Sequence, residues 1–271
     1  MDVTLLGTGA ADGWPNPWCP CASCADNRRL GLVRANTSAL VDDRLLLDAG
    51  ADMNRAAAHA GRDLTQVTTV CITHAHDDHC HPSFLLHRAW LDSPPPPLRV
   101  IGPAPVIASC REWLEPGDES VTFVQVTAGD VVEVDGYRIT ALPATHEAFG
   151  EAVLYAISDG SSSLLYATDT GPWAPGVREG LAGWQLDLVM LEETFGEVPS
   201  KSPHHHDLAT FGAALADLRA WGNVHPTTRC VAIHLGHHNP PLARLQGLLA
   251  AIDAEVYPDG TALHVGSRKT V

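Results

Sequence analysis

The sequence predicts an α/β protein, a four-layer αββα sandwich with two sheets packed face to face and helices outside. Three observations predict it. Short apolar strand patterns alternate with helical ones, with no internal repeat. The strands fall into two β-rich halves, each accompanied by helices. No stretch rich in Gly, Ser or charge separates the halves, so residues 1–271 are expected to form a single domain.

Residues 3–6 form a short apolar strand, followed by a Gly-, Pro- and Cys-rich loop to about Asn36. Segments 37–41 and 45–47 read as a hairpin turning at Asp42-Asp43. A buried strand over 67–73 runs directly into a group of histidines, and 82–91 reads as a helix. Ser93 and the four prolines after it close that helix, because proline cannot continue it. Further strands are expected at 99–102, 121–126, 131–134 and 137–142. Segments 152–158 and 163–168 suit a hairpin around Asp159-Gly160, a two-residue turn signal. A strand at 186–191 precedes a helix capped by Asp207, with Leu208, Phe211, Leu215, Leu218 and Trp221 on its apolar face. A strand at 230–235 and a long helix over 240–252 complete the pattern.

Composition narrows the partners. With 17 Lys and Arg against 32 Asp and Glu, the formal net charge is −15, and Lys201 and Lys269 are the lysines. Affinity for a long nucleic acid needs clustered cations, so such a partner is not expected, whereas a small anion beside bound divalent metals is. No apolar run approaches the ~18 residues of a membrane span. The start, Met1-Asp2-Val3-Thr4, has no basic segment of the secretory kind, so a cytosolic location is expected. In that compartment, three of the seven cysteines within six residues point to metal before disulfide.

The central stretch is Thr73-His74-Ala75-His76-Asp77-Asp78-His79. Neutral imidazoles beside a hard carboxylate suit zinc, manganese or iron. One ion cannot take all four ligands from so short a turn without strain, so two neighbouring ions are favoured. His-x-His-x-Asp-His after a strand resembles the signature of the metallo-β-lactamase superfamily, and the resemblance runs along the whole chain. It implies that His74 and His76 bind one metal, completed by His146, and that Asp78 and His79 bind a second, completed by His234. Asp169, in Ala167-Thr168-Asp169-Thr170-Gly171, is implied as the bridge between them. A bridging carboxylate holds ions roughly 3.5–4 Å apart, where a shared water becomes hydroxide near neutral pH. True β-lactamases of this fold lack that bridge, so lactam hydrolysis is not expected. Thioester hydrolases share it, so it does not by itself identify a phosphodiesterase.

Cys19-Pro20-Cys21-Ala22-Ser23-Cys24 places three thiolates where they can wrap one structural zinc, within a zinc-binding loop at about residues 13–36. His237 is the expected fourth ligand, with His238 as the alternative. Cys71, Cys80, Cys110 and Cys230 read as ordinary small residues. The loop Gly7-Thr8-Gly9-Ala10-Ala11-Asp12-Gly13-Trp14-Pro15 ahead of the cysteines is similar to the cyclic-phosphodiesterase branch of the superfamily, that of the bacterial carbon–phosphorus lyase pathway. A relative with similar cysteines, the B protein of pyrroloquinoline-quinone biosynthesis, has an altered ligand set, whereas this chain has every ligand.

The same branch, like the tRNA 3′-processing endonucleases, implies a histidine near the metals in Pro203-His204-His205-His206-Asp207-Leu208. Register selects His205, with His204 and His206 as alternatives. His205 would protonate the leaving alkoxide or hold a phosphoryl oxygen. With Asp78 and Asp169 it forms the expected catalytic set. Trp14, Trp18 and Trp173 lie in loops that could border the pocket and stack on a base. The reading is a hydrolase of a small phosphodiester, cyclic or open-chain, that uses two divalent ions (Mn, Zn or Fe) and one structural Zn. Its rivals are a lactonase or thioesterase on the same site and a non-hydrolytic cofactor-biosynthesis protein. A homodimer is an expectation from the resemblance alone.

Overall fold

The computed structural model describes residues 1–93, 95–115, 117–146, 150–200 and 202–266. Pro94, Lys201 and Lys269 lie outside them. In chain order the strands are β1 (Asp2–Gly7), β2 (Ser38–Val41), β3 (Leu45–Leu47), β4 (Thr69–Cys71), β5 (Leu98–Gly102), β6 (Val121–Gln125), β7 (Val131–Val134), β8 (Tyr137–Pro143), β9 (Val153–Ser158), β10 (Ser163–Ala167), β11 (Leu188–Glu192), β12 (Arg229–Ile233) and β13 (Ala262–His264). The helices are α1 (Ala22–Leu30), α2 (Met53–His59), α3 (Ser83–Ala89), α4 (Ala104–Arg111), α5 (Val177–Gly180), α6 (Leu208–Ala220) and α7 (Leu242–Ala250).

One sheet runs β13-β1-β2-β3-β4-β5-β6 and the other β12-β11-β10-β9-β8-β7. Strand side chains alternate faces, and the apolar cores follow that alternation. Leu45 and Leu47 point between the sheets, with Leu164, Tyr166, Met190 and Val231 of the second sheet. Leu46 faces the other way, onto Met53, Phe84, Leu85, Val106 and Ile107 of the first helix layer. Leu165 and Ala167 likewise face Phe211, Leu215, Leu218, Leu245 and Leu249 of the second. The four layers are those the sequence predicts.

The hairpin at Asp42-Asp43 is present: both residues have positive φ, 49° and 56°, and Val41 pairs with Leu45 across a three-residue connection. The β9–β10 hairpin differs. Ser158 pairs with Ser163, leaving a four-residue loop, because the Asp159 carboxylate accepts from the amides of Ser161 and Ser162 and closes a wider turn. Four helices fall where the sequence reading places none, the four-residue α5 among them. α1 lies inside the supposed loop, where ASCADNRRL carries no apolar stripe to reveal it. The Cys21 thiol accepts from the Cys24 amide at its start, and Gly31 closes it at φ 67°. Helices α2 and α4 are seven and eight residues long, too short for a periodic pattern to stand out.

Candidate metal centre

The functional side chains sit at the carboxyl ends of strands along the seam between the sheets. β4 leads into His74, His76, Asp78 and His79, and β8 into His146. β10 leads into Asp169 and β12 into His234. The amides of His79 and Cys80 both donate to the His76 carbonyl, folding the first group into a compact turn. Gly50 lets that turn close in, since a Cβ there would overlap the Asp78 carbonyl. Asp169 and His234 each adopt positive φ, 50° and 56°, which turns their side chains off the strand ends.

Two donor sets result. In the first, His76 Nδ1 lies 3.0 Å from His74 Nε2 and 3.1 Å from His146 Nε2. Asp169 Oδ2 lies 3.5 Å from His74 Nε2 and 3.6 Å from His146 Nε2. In the second, Asp78 Oδ2 is 3.1 Å from His79 Nε2 and 3.3 Å from His234 Nε2. Asp169 Oδ1 is 3.1 Å from His79 Nε2 and 2.9 Å from His234 Nε2. Ligand atoms about 2.0–2.1 Å from one ion in a tetrahedral array stand about 3.3–3.4 Å apart. Both sets match that spacing, and each oxygen of Asp169 serves a different set. The donor chemistry fits a pair of divalent ions.

Protonation follows the same division. Burial holds the His74 imidazole well below its ordinary range and lowers His146 to about 4, so both offer neutral imidazole donors. His79 and His234 go the other way. Burial opposes their charge, but Asp169 outweighs it and raises His79 well above the usual value and His234 to about 10. Against its own burial, Asp169 is held well below the carboxylate range by His234 and His79. Protons thus occupy positions that cations would take.

Supporting contacts were not legible in the sequence reading. Asp48, fully buried just after β3, lies 2.8 Å from His79 Nδ1 and accepts from the Thr73 amide and hydroxyl and the Tyr166 hydroxyl. It fixes the imidazole that faces the second donor set. Thr194 Oγ1 does the same for His234, at 3.0 Å from Nδ1. Glu192, the last residue of β11, accepts from the Thr170 amide and lies 2.9 Å from His205 Nδ1. The available signal was an acidic residue ending a wholly apolar run, LLLD and LVMLE.

Of the three consecutive histidines, His205 stacks on His234 with ring centres 5.6 Å apart, and its ring is 5.0 Å from that of His146. His204 turns its Nδ1 to the Thr145 carbonyl, and His206 is buried. Gly171 permits this approach, because a Cβ there would overlap the Pro203 carbonyl.

The thiols of Cys19, Cys21 and Cys24 all lie within 4.8 Å of one another. Against the opposing pull of burial, the Cys24 amide and neighbouring donors hold Cys21 below the usual thiol value, while burial pushes Cys24 up to about 12. The backbone carbonyl of His237 is 3.8 Å from Cys21 Sγ, but its ring does not join the trio. Its Nδ1 pairs with the Asp12 carboxylate, the nearest opposite charge. His238 is exposed and lies on His237. The tryptophans do not border the centre as a stacking face. Trp14 is buried with Nε1 on Ser23, Trp173 packs on Trp221 and donates to the Ala214 carbonyl, and Trp18 is 93% exposed on the cysteine loop.

Among the described residues, no helix is long and apolar enough to cross a membrane. Residues 43–235 match the model of the family described as Beta-lactamase superfamily domain. Ribonuclease Z of Mycobacterium avium (strain 104) is 28% identical over 203 residues, 68% of this chain and 67% of that protein. The chain spans about two thirds of the length of the ribonuclease Z relatives from M. avium and M. bovis. Zn(2+)-bound PqqB from Methylobacterium extorquens superposes with a TM-score of 0.77 at 20% identity, over 97% of this chain and all 100% of that one. A diphosphatase from the PhnP family superposes at 0.75 with 21% identity, over 97% and 96% of the two chains. With the family model matched from the first hairpin to the last strand of the site, and the same sandwich in its structural neighbours, the chain belongs to the beta-lactamase superfamily and has the metallo-β-lactamase fold.

Proposed function

We propose that this chain is a metal-dependent phosphodiesterase acting on a small phosphodiester, cyclic or open-chain. One observation carries the reading: Asp169 presents Oδ2 to His74 and His146 and Oδ1 to His79 and His234, a bridging arrangement for two divalent ions. When bound, such a pair supplies Lewis-acid neutralisation of the phosphoryl oxygens and lowers the pKa of an attacking water. The chain's own residues do the rest. Asp78 and Asp169 keep the negative charge that retains the cations, and Asp48 and Thr194 hold the imidazoles in orientation. His205, anchored through Nδ1 on Glu192, leaves Nε2 to give a proton to the departing alkoxide. A zinc on Cys19, Cys21 and Cys24 would brace the loop that leads into α1 and take no part in the chemistry.

The ribonuclease Z and PhnP-family diphosphatase likenesses support phosphorus as the centre attacked. The net charge of −15 argues for a small ester over a tRNA precursor. Assay of the manganese-loaded protein on bis-p-nitrophenyl phosphate and 2′,3′-cyclic nucleotides, beside simple lactones and thioesters, tests the proposal. Phosphodiester turnover should lead. Faster ester turnover would overturn it, and absence of turnover on every class would favour a non-hydrolytic role.

A further inference from the structure

On the outer face of the first sheet, away from the seam that holds the metal centre, α2 and α3 flank a cavity of about 400 Å³. That volume falls within the roughly 300–1,000 Å³ of small-molecule pockets. Its floor is Leu46, Val70 and Leu98 of β3, β4 and β5, each 1–2% exposed. Met53 of α2 and Phe84 of α3 wall it, so a guest meets apolar side chains throughout its depth.

The mouth has a different chemistry. His87 and Arg88 from the end of α3, and Leu91 just beyond it, meet Asn54 of α2 there. Asn54 Nδ2 and His87 Nδ1 pair at 2.5 Å, which steadies the two helices across the opening. Arg88 donates to the Pro96 carbonyl, and Asp118 faces it from beyond ion-pair distance. Its guanidinium therefore stands as a cation over an apolar hollow, on a chain whose net charge is −15. Leu91 is 56% exposed beside it, an apolar lip that packing within the chain does not cover. An apolar depth beneath a guanidinium matches one chemistry, an alkyl chain that ends in an anion.

We infer that this cavity binds a medium-chain carboxylate, its alkyl chain on Leu46, Val70 and Leu98 and its head on Arg88. The inference goes beyond the proposed phosphodiesterase activity and does not depend on it. An occupied cavity packs against the strands that feed the metal centre, because β3 leads from Leu46 to Asp48 and β4 from Val70 to His74.

Isothermal titration of the whole protein with decanoate, octanoate and decanol tests the site, run in acetate buffer so that acetate fills any carboxylate position at the metal centre. Decanoate should bind saturably. Octanoate should bind more weakly by about fourfold for each methylene lost. Decanol, which has the chain without the charge, should be weaker by about tenfold or more. Arg88→Gln should erase the preference for decanoate over decanol. Val70→Phe, which fills the floor, should weaken both. Leu91→Asp, a change on the exposed lip, should weaken decanoate more than decanol, and it decides the matter if Val70→Phe does not fold. No saturable decanoate binding, equal affinity for decanol in the wild type, or decanoate affinity left unchanged by Arg88→Gln or Leu91→Asp would overturn the site.

Discussion

Asp48 gives four groups their place, accepting from the Thr73 amide, the Thr73 hydroxyl and the Tyr166 hydroxyl while lying against His79 Nδ1. Such carboxylate–histidine contacts tune the ligand, and losing one costs roughly 10–100-fold in metal affinity or activity. Asp48→Asn should therefore weaken manganese binding by about that factor while the protein still folds, as isothermal titration and circular dichroism would show. His205 has a different role. His205→Ala should lower kcat by roughly 10²–10⁴-fold on an alkyl phosphodiester, the range of general acid catalysis. The loss should be far smaller on bis-p-nitrophenyl phosphate, whose leaving group needs no proton, and equal losses on both would remove His205 from that role. At this scale the sequence marked most residues of the two donor sets, because His-x-His-x-Asp-His packs its meaning into six positions. Asp48 and Glu192 stayed hidden. Each is one acidic residue at the end of an apolar strand, and only the folded chain reveals what it touches.

Among the elements, α6 was legible from end to end, because Asp207 and an apolar stripe at helical spacing mark it. Asp207 caps it through the Thr210 amide, and Thr210 returns the contact to the Asp207 amide. Although burial raises it, the Thr210 and Ser200 amides hold the Asp207 carboxyl below its usual 3.8. A depressed carboxyl contributes stability above its unfolded value, and that contribution is lost as pH falls through the folded one. Asp207→Ala should cost about 1 kcal/mol near neutrality, and the difference from wild type should shrink in acid, measured by urea unfolding at pH 7 and pH 2.5. The helix also positions the rim, because His205 and His206 lead directly into it. By contrast α1 was invisible to pattern reading. Its sequence is polar nearly throughout, and its position comes from the cysteines and from Arg28, which donates to the Cys19 and Asn16 carbonyls.

For the whole molecule, the seam between the two sheets concentrates like-charged and titratable groups where few are tolerated without cations. In the metal-free protein, His79 and His234 are raised by Asp169 and Asp78 against their burial. The stability from those pairs is full below the unfolded histidine value of 6.5 and is lost as pH rises toward the His234 value of about 10. Divalent ions replace the protons, so added manganese should raise Tm more at pH 9 than at pH 6. A larger rise at pH 6 would show that these histidines are not where the ions bind. The sandwich itself was readable in outline, because alternation within each strand separates the inner core from the outer ones. The way four strand ends converge on one point was not, since that depends on sheet order, which no local pattern encodes.

The central claim is that Asp169 joins two cation sites into one. Stoichiometric manganese addition to chelator-stripped protein, with the cysteine site first filled by zinc and the signal followed by electron paramagnetic resonance, tests it directly. Two equivalents per chain should give an exchange-coupled pair, and Asp169→Ala should abolish that coupling while the fold persists. A single isolated manganese per chain at saturation in the wild type, or coupling that survives in Asp169→Ala, would contradict the account.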